Sequence, residues 1–264
     1  MRGFVIMAVG DVKYEKCADT LTRSIRNVMP HAKVSLITDH YTVNDELYDK
    51  IISLPHNDVD NSDWKLANDW QVYDASPYEY TIKLEADMYI PRNIHYWWDI
   101  LEGRDLNIST TIRDFRGNIS TVDDYRQTFV KSKLPQVYNA ITYFKKSELA
   151  QQFFTLVRDI FENWSDYVRL LEYSSEDRPT TDVVYAIAAK IIGVENCTLP
   201  TFTQFSMCHM KPAINGNTTS RWYEEMVYEI HNNVFRINTY PQFYPIHYHN
   251  KEFSEIIDLE LSND

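Results

Sequence analysis

The first forty residues form the pattern of a strand, an amphipathic helix and a second strand, and this pattern constrains the fold more than any other feature. Residues 4–9 are a continuous apolar run, which is typical of a strand buried on both faces. In residues 14–29 the apolar positions recur at spacings of three and four, which predicts an amphipathic helix ending before Pro30. Residues 34–38 predict a second buried strand. This order predicts a parallel βαβ unit and therefore an α/β fold.

The rest of the chain continues this alternation and predicts a single domain of 264 residues, with a central, mostly parallel sheet flanked by helices. Residues 103–135 are polar and mixed and predict an insertion, whereas residues 200–253 show no regular pattern and predict irregular structure. Further strands are predicted at 49–54, 80–84 and 137–144, and helices at 65–73, 91–101, 147–171 and from 180 or 181 to 193.

Net charge and glycine content exclude several classes of protein. A net charge of −12 disfavours binding to nucleic acid except through a local basic patch. The chain has six glycines and no GxGxxG or P-loop motif, which excludes a Rossmann dehydrogenase and a P-loop kinase. A nucleotidyltransferase would need a glycine-rich phosphate loop after the first strand, where this chain has the sequence Asp-Val-Lys-Tyr from Asp11 to Tyr14.

Cysteine spacing and hydropathy predict the compartment. Cys17, Cys197 and Cys208 have no paired spacing, which is typical of reduced thiols. The first residues lead directly into a strand rather than a signal sequence, and no apolar run approaches the ~18 residues of a membrane span. We therefore expect a cytoplasmic protein with no membrane partner.

Acidic side chains follow three of the predicted strands where these strands end. Gly10 and Asp11 follow the first strand, Asp39 the second, and Glu85 and Asp87 the strand at 80–84. Ligands of open parallel sheets bind beyond the carboxyl ends of the strands. Glu85 and Asp87 are two residues apart, which in extended backbone directs both carboxylates to one side. Such oxygen ligands suit Mn²⁺ or Mg²⁺, and they leave coordination positions open for phosphate.

The segment YEYTIKLEADMYIP, which contains this acidic pair, resembles the strand and acid-x-acid motif of GT-A glycosyltransferases, especially the glycogenin-like family 8. The resemblance implies a single GT-A-like, Rossmann-like domain that binds a nucleotide diphosphate sugar, most commonly a UDP-sugar. It implies that Asp87 is the principal metal ligand and that Glu85 contacts the metal or the ribose. The first acid of the motif is Glu here, where the family usually has Asp.

Other segments resemble the family's nucleotide-binding elements in the same order along the chain. FVIMAVGD resembles the first nucleotide-binding strand, whose end contacts the base and ribose, and LITD resembles the second strand. Tyr14 follows the first strand and is a candidate for stacking on the base. The candidate residues for binding the nucleotide are Ala8, Val9, Gly10, Tyr14, Asp39 and Lys65.

The second half of the chain resembles the catalytic and metal-binding elements of the family. Asn139 matches an Asn-Ser-Gly strand whose Asn lies near the sugar, and Asp182 matches an Asp-Gln pair at a helix start, although Ile141 and Val183 depart from those patterns. The segment PIHYHNK resembles the C-terminal element in which a His completes the metal site and a Lys holds the diphosphate. Its candidates are His247, His249 and Lys251, and His209-Met210-Lys211-Pro212 is a competing partial match.

Together these features predict a metal-dependent glycosyltransferase, with residues 1–102 forming a nucleotide-binding half and residues 103–264 an acceptor-binding half with the C-terminal metal and diphosphate element. The expected acceptor is a glycan or small glycoside. The alternatives are a phage-type enzyme modifying a hydroxylated base in DNA, located in the host cytoplasm, and a non-catalytic sugar-binding protein. Family 8 similarity suggests retention of configuration, whereas an inverting enzyme would need a carboxylate base such as Asp182 or Asp114.

Overall fold

Six strands form the central sheet of the protein, which a computed structural model describes over residues 1–39, 45–56, 65–121, 125–175, 177–231 and 234–261. The strands of the described chain are β1 (Arg2–Ala8), β2 (Val34–Thr38), β3 (Lys50–Ser53), β4 (Tyr80–Glu85), β5 (Met88–Tyr89), β6 (Leu106–Ser109), β7 (Thr111–Arg113), β8 (Ile119–Ser120), β9 (Tyr138–Lys145), β10 (Ser206–His209), β11 (Tyr228–His231), β12 (Val234–Ile237), β13 (Tyr240–Pro241) and β14 (Ile246–His247). The helices are α1 (Val12–Val28), α2 (Val72–Ala75), α3 (Tyr96–Leu101), α4 (Gln127–Lys131), α5 (Glu148–Glu162), α6 (Trp164–Tyr167), α7 (Thr181–Ile192), α8 (Val194–Cys197), α9 (Pro212–Asn215), α10 (Trp222–Glu225) and α11 (Phe253–Leu261), with 3-10 turns at Asp45–Leu47, Lys65–Gln71 and Val168–Leu170.

The central sheet has the order β3-β2-β1-β4-β9-β6, and it confirms the predicted α/β fold with a mostly parallel sheet. Strands β3, β2, β1 and β4 are parallel, while β9 runs antiparallel between β4 and β6. Because β9 is antiparallel, its first residues lie at the same edge of the sheet as the carboxyl end of β4. This edge therefore gathers residues from both halves of the chain.

Helices cover both faces of this sheet, because β1 carries apolar side chains on both faces. Phe4, Ile6 and Ala8 point to one face and pack with α1 and α3, whereas Val5 points to the other face and packs with α5 and α7. Successive side chains of a strand point to opposite faces, so a strand buried on both sides must be apolar throughout. Burial on both faces therefore explains why the sequence of β1 contains an uninterrupted apolar run.

A second sheet, with the order β5-β14-β10-β7-β8, lies next to the carboxyl end of β4. Strand β5 follows the acidic pair directly and pairs antiparallel with β14, so that Met88 lies opposite His247. Strand β14 is parallel to β10, and His247 lies opposite His209. A third sheet, β11-β12-β13, is antiparallel.

Several predicted element boundaries are wrong, each for a local reason. The helix expected from residue 91 begins at Tyr96, because the Asn93 side chain accepts the His95 N–H and forms a turn instead. The helix capped by Ser147 ends at Glu162, because Asn163 leaves the helical conformation (φ −115°, ψ 33°). Residues 103–135 and 200–253 contain strands, including edge strand β6, that are two to four residues long and too short for a periodic pattern. No helix in the described ranges is long and apolar enough to cross a membrane.

Candidate active site

A cavity of about 1040 Å³ opens at the edge of the central sheet where β1 and β4 end and β9 begins. The ends of these strands form its floor, the start of α7 forms one wall, and the segments after β10 and β14 form another. Clefts of this volume hold ligands of the size of a nucleotide sugar. The location agrees with the rule that ligands of open α/β sheets bind beyond the carboxyl ends of the strands.

Glu85, Asp87 and His247 meet at this edge. The His247 Nε2 lies 3.1 Å from Glu85 Oε2 and 3.2 Å from Asp87 Oδ1. The Asp87 carbonyl accepts the Tyr248 N–H at 3.1 Å, which fixes β14 against the acidic turn. One ligand atom from each of the three residues lies within 4.8 Å of the others. Two oxygens and one imidazole nitrogen in this arrangement fit a divalent cation such as Mn²⁺ or Mg²⁺.

The pKa shifts of Glu85, Asp87 and His247 show that the two carboxylates favour a positive charge between them. Burial raises the pKa of Glu85, and His247 offsets this only in part. Burial also disfavours the Asp87 carboxylate, but His247 holds the pKa of Asp87 well below its usual range. Burial opposes protonation of His247, yet Asp87 and Glu85 raise the pKa of this imidazole. The two carboxylates therefore favour protonation of His247, and a divalent cation bound here would compete with that proton.

His209 and His249 lie beside this group. The His249 Nε2 is 3.2 Å from Nδ1 and 3.3 Å from Nε2 of His209, and the ring centroids of His247 and His249 are 3.9 Å apart. Burial and the neighbouring histidines lower the pKa of both His209 and His249, so both rings are neutral. His247 thus contacts the acidic pair directly, whereas His249 contacts the other two histidines.

The candidate nucleotide-binding residues differ in position. Val9, Gly10, Tyr14 and Lys251 line the cavity. The Lys251 Nζ lies 4.3 Å from the centroid of the Tyr14 ring. Burial opposes the charge of Lys251, but the Tyr14 hydroxyl and the nearby Asp87 raise its pKa, so it remains a cation.

Two other candidates for the nucleotide, Ala8 and Asp39, do not line the cavity. Ala8 is fully buried in the core between the sheet and α1. Asp39 accepts the Gly10 N–H at 2.9 Å, and Gly10 has a φ of 92°, so Asp39 shapes the turn after β1. The side chain of Lys65 lies outside the described part of the chain.

Asp182 and Asn139 lie together on the opposite wall. The Asn139 N–H donates to Asp182 Oδ1 at 2.8 Å, and Arg126 Nη2 lies 3.5 Å from Asp182 Oδ2. The Arg126 guanidinium carbon lies 3.6 Å from the Phe129 ring centroid and 4.1 Å from that of Tyr138. The sequence placed Asp182 and Asn139 in the site but gave Arg126 no role there.

Sequence reasoning missed a buried ion pair at the bottom of the cavity. Lys83 lies two residues before Glu85, on the same side of β4, and its Nζ is 2.5 Å from Asp69 Oδ1. The other Asp69 oxygen accepts the Tyr185 hydroxyl at 2.5 Å, and the Lys83 side chain is only 1% exposed. A charged residue between the apolar residues Ile82 and Leu84 was the signal in the sequence, because a lysine is rarely buried unless it is paired.

Comparisons with known proteins bear on the fold. No protein-family model matches the sequence, and no protein with a curated description matches it. Among solved structures, the galactosyltransferase LgtC, in complex with donor and acceptor sugar analogues, is 13% identical with a TM-score of 0.50, over 97% of this chain and 95% of that chain. An active-site mutant of LgtC is 11% identical with a TM-score of 0.52, over 98% and 95%.

The apo form of the glycosyltransferase GlyE of Streptococcus pneumoniae TIGR4 is 11% identical with a TM-score of 0.50 and aligns with 98% of this chain. This chain spans only 60% of the length of GlyE. At these identities the likeness concerns the fold, and it confirms the predicted GT-A glycosyltransferase fold.

Proposed function

We propose that the protein is a metal-dependent glycosyltransferase that moves a sugar from a nucleotide diphosphate donor, most commonly a UDP-sugar, to an acceptor hydroxyl. The observation that carries this proposal is the convergence of Glu85, Asp87 and His247 in a cavity at the carboxyl ends of parallel strands. Glu85, Asp87 and His247 would hold a divalent cation, which would supply positive charge to stabilise a departing diphosphate. The GT-A fold supports the proposal independently.

The residues at the β1 end of the cavity would hold the nucleotide. Gly10, with its positive φ, leaves backbone exposed at the turn, and Tyr14 offers an aromatic face to the base. Lys251 is a point charge beside Asp87 and suits the diphosphate. The Tyr14 contact keeps this lysine in the cavity rather than in solvent.

Asp182 is the candidate catalytic carboxylate of the opposite wall. During transfer the bond from the anomeric carbon to the diphosphate oxygen breaks, a bond to the acceptor oxygen forms, and the acceptor hydroxyl loses its proton. Asp182, oriented by the Asn139 N–H and Arg126, can hydrogen-bond the sugar or accept that proton. Asp114 does not line the cavity and accepts N–H groups of its own turn, which favours Asp182.

A glycan or small glycoside suits the surface better than DNA does. Two of the five basic residues that could have formed a DNA-binding face, which are Arg113, Arg116, Arg126, Lys131 and Lys133, are not on the surface. Arg113 and Arg126 are buried and bonded to backbone carbonyls, and Lys133 pairs with Glu172. With a net charge of −12, a polyanion would find little attraction here.

The test is hydrolysis and transfer with a panel of nucleotide sugars, with and without Mn²⁺. We expect slow, Mn²⁺-dependent release of free nucleotide that is lost in Asp87→Ala. Asp99→Asn, which removes an exposed carboxylate that does not line the cavity, is the matched control and should behave as the unaltered protein. Binding of UDP with Mn²⁺ should raise the thermal midpoint. At a hundredfold excess of ligand over Kd, it should increase the free energy of unfolding by about 2.7 kcal/mol. Absence of both effects for every donor contradicts the proposal.

A further inference from the structure

Three histidines converge next to the acidic pair although only one of them contacts it. His209 ends β10 and His247 ends β14, and the two are direct partners in parallel strands, so their side chains lie on the same face. His249 follows two residues later and contacts both rings, with centroid distances of 4.4 Å to His209 and 3.9 Å to His247. One ring nitrogen from each histidine lies within 4.8 Å of the others.

The backbone is strained at the point where this cluster closes. His249 has a φ of 60°, in the left-handed region that residues other than glycine rarely adopt. Strain of this kind persists where the surrounding structure imposes it, and it clusters at functional sites. Here the left-handed turn directs the chain from β14 toward Lys251 while the His249 ring stays against His209.

The ring nitrogen atoms of the three histidines have few hydrogen-bond partners for buried polar atoms. Within the described ranges, the rings of His209 and His249 form hydrogen bonds only with each other. The His247 Nδ1 is buried and has no hydrogen-bond partner there. Buried polar atoms are nearly always paired, so an unpaired nitrogen among three imidazoles points to a missing ligand.

We propose that His209, His247 and His249 form a second metal site, one that selects a borderline transition metal such as Zn²⁺, Co²⁺ or Ni²⁺ over Mg²⁺. Imidazole nitrogen suits these ions, whereas carboxylate oxygen suits Mg²⁺ and Mn²⁺. The proposal rests on the proposed function only in that His247 also belongs to the acidic site. An ion held by the cluster ties the ends of β10 and β14 together and holds the segment that carries Lys251 into the cavity.

The experiment is a Co²⁺ titration of chelator-stripped protein, followed by visible absorption and by calorimetry. The variant Glu85→Gln/Asp87→Asn should retain Co²⁺ binding within about tenfold, because its imidazoles are intact. His209→Asn and His249→Asn should each weaken binding by more than about tenfold, equivalent to about 1.4 kcal/mol. His31→Asn, at an exposed position, is the matched control and should change nothing. A large excess of Mg²⁺ should not displace Co²⁺ from the cluster.

Two results would overturn the inference. The first is Co²⁺ binding that is lost in the Glu85→Gln/Asp87→Asn variant, and the second is binding that is unaffected by both His209→Asn and His249→Asn. Anomalous scattering from Zn²⁺-soaked crystals of the unaltered protein tests the same point without variants, because the peak must lie against the three imidazoles. Mn²⁺-dependent donor hydrolysis, measured in parallel, separates failure of this inference from failure of the proposed function.

Discussion

Replacing Lys83 by Met should destabilise the protein far more than a typical lysine replacement. Lys83 is 1% exposed and Asp69 is 6% exposed, and the two are 2.5 Å apart. Among the described residues, Lys83→Met leaves the buried Asp69 carboxylate with a hydrogen bond from the Tyr185 hydroxyl alone. Breaking a buried pair in this way costs about 3–5 kcal/mol.

The expected shift in thermal midpoint follows from this cost. For chains near this length each kcal/mol moves Tm by about 2–4 °C, so Lys83→Met should lower Tm by about 6–20 °C. The matched control is Lys133→Met, which breaks an exposed pair with Glu172 whose side chains are 78% and 64% exposed. Such pairs contribute about 0–1 kcal/mol, so Tm should fall by less than about 4 °C.

The assay is thermal unfolding followed by circular dichroism, extended to the double variant Lys83→Met/Asp69→Asn. Because the double variant leaves no uncompensated charge, its loss should be smaller than the sum of the two single losses by about 1–3 kcal/mol. If Lys83→Met and Lys133→Met have the same Tm, or if the two single losses simply add, the desolvated ion pair does not stabilise the cavity floor.

Three further predictions concern the cavity. Asp87 and Glu85 raise the pKa of His247, so Mn²⁺ affinity should fall as the pH drops through that pKa, because the metal must displace the proton. Calorimetry over a pH series measures this affinity, and an affinity that does not change with pH would contradict the prediction. Lys251→Met should raise KM for the donor with a smaller effect on kcat, measured by initial rates, if the lysine binds the diphosphate in both ground and transition states. Asp182→Asn should lower kcat by about 10²-fold or more while the donor Kd from calorimetry stays within about threefold, and an unchanged kcat would remove Asp182 from the chemistry.

Sequence reasoning predicted the fold well because its evidence was local. Strand β1 is buried on both faces and α1 has a long apolar stripe, so each leaves a pattern in adjacent residues. Strands β10 and β14 have four and two residues, and their pairing depends on partners far along the chain. No periodic pattern can specify such short strands, and the region that contains them was therefore expected to be irregular.

The candidate site was predictable only where a motif marked it. The acid-x-acid spacing singled out Glu85 and Asp87, and the strand ends placed them at a ligand-binding edge. Arg126 and the Lys83–Asp69 pair carry no motif, because their role depends on burial and on neighbours such as Tyr138 and Tyr185 that only the tertiary structure supplies. The roles of the site residues remain predictions for the experiments above.

The pairing of β5 with β14 joins two segments that lie far apart in the sequence. Asp87 and His247 become neighbours only after a very long loop has closed, so the sheet can form before the three ligand atoms meet. A cation bound there favours the closed loop over the open one by mass action. Metal affinity in partly denatured protein would therefore report on the docking of the last strand, separately from the folding of the βαβ unit that begins the chain.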